Sequence, residues 1–161
     1  MRYEASDQEV KAAQFPHNVL IAGLFGFNLL MAPAVIVLNL GMGGLFIPLL
    51  SSGALVYYIY QRGRKDAPWF VAAHWRLAFR HARILLAGYG ITAILILVAW
   101  LLSQTAHDPH MKNIVWTALT RIGILPTLVA VMITAIMEAG AISLATKREV
   151  PDKLVAKFPP P

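Results

Sequence analysis

Apolar residues dominate four stretches of the chain, about 18–39, 45–61, 84–103 and 116–144, with polar residues gathered between them. Each has the length and character expected of a membrane-spanning helix. The segment leading into the third is the most informative. Asp66 is placed to cap a helix with Pro68 in its first turn, where a missing N–H costs little. Phe70, His74, Leu77, His81 and Ile84 then recur on one helical face, and Arg76, Arg80 and Arg83 on another. This pattern predicts an amphipathic helix over 67–83 lying in the membrane surface. Its arginines would meet anionic lipid, with Trp69, Phe70, Trp75 and Phe79 as interfacial anchors. Residues 84–103 follow without a charge, about 30 Å of helix, which matches a bilayer core.

Elsewhere the punctuation is equally local. Ser6-Asp7-Gln8-Glu9 fits a capping box, predicting a short helix that Pro16 ends near Phe15. The first span carries Asn28 near its middle and Pro33 as an expected kink, and Gly23 and Gly26 thin one side for close helix approach. The second begins after a Gly-rich turn and ends among Tyr57, Tyr58 and Tyr60. In the fourth, Ala135, Ala139 and Ser143 recur at i, i+4 and i+8 as a second expected packing seam. The chain closes on a polar tail, 146–161. The expected fold is therefore all-α: a polytopic membrane protein of four transmembrane helices plus one interfacial helix, in a single domain.

Composition agrees and charge adds orientation. The chain is 58% hydrophobic and only 14% charged, with a mean hydropathy of +0.61, outside the soluble globular range. The net charge of +6 does not point to nucleic acid, because the basic residues border apolar stretches instead of forming a separate basic domain. Twelve lysines and arginines fall in the N-terminal tail, the 62–83 segment and the C-terminal tail, against one in the loop before the fourth stretch. With four spans this predicts both termini in the cytoplasm. There is no cysteine, so disulfides and Cys-ligated metals are excluded.

Arg62-Gly63-Arg64-Lys65 followed by Phe70-Val71-Ala72-Ala73-His74 resembles a group of uncharacterised small bacterial membrane proteins. These are distantly similar to a membrane subunit of a chloroplast import translocon. A related group has a His-aromatic-Arg pattern with a second Arg four positions on, matched by His74-Trp75-Arg76 and Arg80. Phe79 departs from it, standing where a polar residue is usual. The resemblance covers about residues 45–103 and implies an architecture and a bacterial cytoplasmic membrane, with no known activity.

Candidate chemistry is sparse. His17, His74 and His81 are expected at similar depth near the cytoplasmic surface, the arrangement that a haem b or quinone site would need. His74 and His81 are too far apart on one helix to share a single iron, and interfacial histidines more often bond to headgroups. His107, Asp108 and His110 have metal-ligand types but read as a solvated loop, so no metal is expected. Arg121 and Glu138 are the ionisable residues within or near apolar cores, about 25 Å apart along one helix. Arg121 is expected to snorkel outward, and Glu138 to meet Lys147 or the basic cytoplasmic region. H-E-x-x-H, P-loop and G-x-S-x-G motifs are all missing. The expectation is a non-catalytic accessory or scaffold subunit binding lipid and partner helices, from other subunits or from further copies of itself. The alternatives are a haem- or quinone-binding redox anchor and a small transporter or channel.

Overall fold

The structure is a computed structural model that describes residues 2–38, 40–44 and 46–160. Asn39 and Leu45, where the sequence placed the end of the first span and the start of the second, lie outside the described residues. The described chain is all-α, its one extended pairing being an isolated bridge between Arg2 and Glu149.

Helix α1 (Asp7–Gly23) opens as expected. The Glu9 N–H donates to Ser6 Oγ at 3.3 Å, and the Ser6 N–H donates to Glu9 Oε2 at 2.7 Å. It does not end at Pro16. Proline removes one ladder bond, but Ala13, Pro16, His17 and Leu20 form one buried stripe, and that packing carries the helix through. The backbone then widens into a π-helical segment, Leu24–Met31, followed by α2 (Ala32–Val37). The widening falls just before Pro33, which cannot donate to the preceding turn, so the expected kink takes the form of a π-segment. After the short α3 (Gly41–Gly44) comes α4 (Phe46–Arg62).

Helix α5 (Trp69–Gln104) runs for 36 residues without interruption. No helix end falls at Arg83/Ile84: the predicted surface helix and the predicted span belong to one unbroken helix, and nothing in the sequence there is a helix stop. Helix α6 (Pro109–Gly123) is capped by Asp108, whose carboxylate accepts from the Met111 N–H at 3.1 Å. A break at Ile124 separates it from α7 (Leu125–Thr146), and α8 (Asp152–Val155) follows.

Three stretches among the described residues are long and apolar enough to cross a membrane: Asp7–Val35, Trp69–Gln104 and Pro109–Thr146. The expectation of four is corrected to three. The stretch 45–61 is not among them; its described residues carry α4 (Phe46–Arg62).

The chain forms two compact units. The first comprises residues up to 82 together with 135 onward. Its core has two parts: Ala13, Phe70, Ala73, Leu77, Ala141, Ala145, Val150 and Leu154 in one, and Leu20, Val56, Ile59, Val71, Trp75, Ala78 and Ala82 in the other. The second unit, Arg83–Thr134, is held by close backbone approach. A Cβ added at Gly88 would lie 2.5 Å from Ala130 Cβ and 3.2 Å from the Pro126 carbonyl oxygen. Thr127 Oγ1 lies 2.9 Å from Thr92 Oγ1 beside it.

Candidate functional site

Inside the first unit, three helices contribute one polar cluster to an apolar interior. Helix α1 supplies His17, because the position follows Ala13 by four residues on its buried stripe. Helix α5 supplies His74 and His81, seven residues and so about two turns apart on one face. Helix α7 supplies Glu138, which shares its inward face with Ala141 and Ala145. His17, His74 and Glu138 are 0% exposed and His81 is 6% exposed. Phe70 packs its ring against His74 at 4.8 Å between centroids, and the His17 and His74 rings meet edge-on at 5.2 Å.

The bonding is continuous. Glu138 Oε2 lies 2.6 Å from His17 Nδ1, and Glu138 Oε1 lies 2.5 Å from His81 Nδ1. His17 Nε2 lies 2.9 Å from His74 Nδ1. A buried carboxylate without donors would be prohibitively costly, and here each oxygen has one. Distances this short suit a charge-assisted bond.

The direction of these bonds follows from what each group can do. An ionised Glu138 only accepts, so His17 and His81 each carry a proton on Nδ1. His17 Nε2 and His74 Nδ1 share one hydrogen bond whose donor is set by the tautomer of the pair. His74 Nε2 is buried without a hydrogen-bond partner. The Glu149 backbone stands beside the His74 ring. Its N–H is committed to the Leu144 carbonyl at 2.8 Å, so only its carbonyl is available to that ring.

The structure brings His17, His74 and His81 together inside the protein, not at headgroups, and adds Glu138. That residue does not turn to Lys147 or the basic segment. The signal was present in the sequence: a carboxylate inside an apolar run must be paired, and the nearby apolar faces offer histidines. Both ring nitrogens of His17 are engaged, so it can ligate a metal or haem iron only by surrendering one of these bonds. Among the described residues no set of three or more His, Cys, Asp or Glu is arranged to hold a metal ion.

The remaining candidates are distributed differently. Arg76, Arg80 and Arg83 are exposed along α5, with the Arg76 guanidinium 3.4 Å above the Phe158 ring. Trp69 is half-buried and donates to the Phe158 carbonyl at 3.2 Å. Trp75 is 6% exposed and belongs to the core, and Phe70 is fully buried. Gly23 packs against Leu55 and Phe27, whereas nothing lies near Gly26. Ala139 and Ser143 are exposed and Ala135 half-buried, so the inner seam of α7 runs instead through Glu138, Ala141 and Ala145. Arg121, His107 and His110 are exposed.

No protein family, no curated protein and no solved structure matches the chain.

Proposed function

We propose that the protein is a non-catalytic accessory or scaffold subunit of a bacterial cytoplasmic membrane, binding partner helices and anionic lipid, with both termini cytoplasmic. The observation that carries this reading is the surface of α5. Leu85, Gly88, Ala99 and Ser103 form its narrow buried stripe, while Ile91, Ile94, Leu97, Val98, Trp100, Leu101 and Leu102 are exposed. An apolar rod left open over most of its circumference needs lipid or other helices around it. Apart from His74 Nε2, the site's hydrogen-bonded polar atoms are meanwhile spent on one another, which suits a fastener for three helices better than a seat for substrate. Lipid binding is supported by the exposed arginines of α5. It is supported also by a groove of about 600 Å³ beside Trp75 that Lys11, Arg62 and Lys65 line together with Asp66. The likeness carried by Phe70–His74 agrees with a small membrane subunit.

The test is purification from native membranes in a mild detergent, with mass measurement of the intact particle and its lipids. The expected result is an assembly larger than one chain, enriched in anionic lipid. A monomer carrying neutral lipid only would overturn the proposal.

A further inference from the structure

We propose that the groove where the start of α1, the end of α4 and the start of α5 converge is the seat of one anionic phospholipid. Lys11, Arg62 and Lys65 hold its phosphate, and its chains lie against Phe15 and Tyr58. The assignment rests on the reading above of a membrane subunit that binds anionic lipid, and it places one such lipid.

The charge comes from three places in the chain. Lys11 stands on α1, Arg62 closes α4, and Lys65 follows in the link to α5; all three line the groove and are exposed. Among the described residues none of them is ion-paired with a carboxylate. Asp66 also lines the groove, and one carboxylate against three cations leaves an excess of positive charge. Arg64 is turned aside to the Tyr60 hydroxyl, to which it donates at 2.8 Å. The diester phosphate of a lipid carries a negative charge and acceptor oxygens, which suit guanidinium and ammonium donors. A zwitterionic headgroup brings a cation of its own and leaves the excess unchanged.

The apolar side distinguishes a lipid from a free phosphate. On α1, Phe15 stands one turn beyond Lys11, and on α4, Tyr58 stands one turn before Arg62. Each helix therefore offers a cation at the groove and an aromatic ring one turn further into its apolar stretch. The Trp75 ring links the two, its centroid 6.0 Å from that of Phe15 and 5.9 Å from that of Tyr58. The Arg62 guanidinium lies over the same indole at 5.9 Å from its centroid, so the basic rim and the aromatic floor meet. Phe15 is 48% exposed and Tyr58 40%. Cations followed by an open aromatic row match the passage from phosphate to acyl chain in a lipid. The groove's volume of about 600 Å³ is far more than a bare phosphate fills and lies within the range of seats for small organic molecules.

The test uses the full-length protein in nanodiscs of phosphatidylglycerol and phosphatidylcholine. The protein is released into mild detergent, and retained lipids are counted by the mass of the intact particle. The wild type is expected to hold one phosphatidylglycerol more tightly than any other lipid. Lys11→Gln, Arg62→Gln and Lys65→Gln together should weaken that retention by at least about tenfold. Arg76→Gln, Arg80→Gln and Arg83→Gln together should leave it in place. Ala12 lines the groove and is exposed, so Ala12→Trp fills the space while keeping all three cations, and the lipid should be lost there too. Inorganic phosphate at the lipid's concentration should not displace it. Retention that survives the triple groove variant or a folded Ala12→Trp would overturn the seat and leave the wider lipid reading standing. Should Ala12→Trp not fold, the two charge variants decide alone. A wild type that retains no anionic lipid would overturn both readings. Displacement by inorganic phosphate would leave the chains no part in binding, and that too would overturn the proposal.

Discussion

At the scale of single residues, two positions carry more of the structure than their types suggest. Glu138 is one. Arg148 is the other, with φ at +57°, a conformation that β-carbon sterics disfavour. It sits where α7 stops. The Glu149 N–H bonds to the Leu144 carbonyl and the Arg148 N–H to the Ala145 carbonyl, the pairing that closes a helix and usually places glycine at this point. Arginine holds the place because its side chain bonds to the Ala5 carbonyl at 2.8 Å and to Asp7 at 2.7 Å, while its carbonyl accepts the Tyr3 N–H at 2.7 Å. Arg148→Ala keeps the backbone strain and loses the clasp, whereas Arg148→Gly loses the clasp but relieves the strain. Chemical unfolding in detergent should therefore rank wild type above Gly above Ala, with Gly and Ala separated by about 1 kcal/mol. Equal stability of the two variants would show that the turn is not strained. None of this was legible beforehand, because Thr146-Lys147-Arg148-Glu149 contains no residue that announces a left-handed turn.

At the scale of elements, local signals were read well and their consequences less well. The Ser6/Glu9 cap and the packing at Gly23 are where the sequence placed them. Pro16 does not end α1, because its buried stripe outweighs one lost ladder bond, and at Arg83/Ile84 the helix runs on although the border between the two units falls there. The small-residue seam of α7 has the predicted kind of residue in another register: Ala141 and Ala145 turn inward, Ala139 and Ser143 outward. Periodicity alone finds several such stripes on an alanine-rich helix and cannot choose among them. The close approach that went unread is Gly88 against Ala130. Backbone at Pro126 lies within 3.2 Å of where a β-carbon would be, so the site cannot yield by rotating a side chain. Gly88→Ala should cost about 1–3 kcal/mol. Gly23→Ala should cost less, since it meets the mobile end of Leu55, and Gly26→Ala should be neutral or slightly stabilising because nothing lies nearby. Thermal unfolding of the three variants checks the order, and a harmless Gly88→Ala would contradict the close approach.

At the scale of the whole molecule, the count of spans meets a constraint from the chain ends. Tyr3, Ala5 and Asp7 all bond to Arg148, and Gln14 donates to Thr146 Oγ1 at 2.9 Å. The start of α1 and the end of α7 therefore share one side of any membrane, which requires an even number of crossings. Three helices among the described residues have the length to cross, an odd number, so labelling must decide whether the segment containing α4 also crosses or the first helical stretch enters and turns back. The chain has no cysteine, so single-cysteine variants report without background. Glu4→Cys and Lys157→Cys are exposed positions and should label from the same side of sealed vesicles. Gly43→Cys, with open space around its β-carbon, should label from the opposite side. If Gly43→Cys labels together with Glu4→Cys, the first stretch re-enters and α4 is not a crossing. If Glu4→Cys and Lys157→Cys label from opposite sides, the clasp at Arg148 does not form in the membrane.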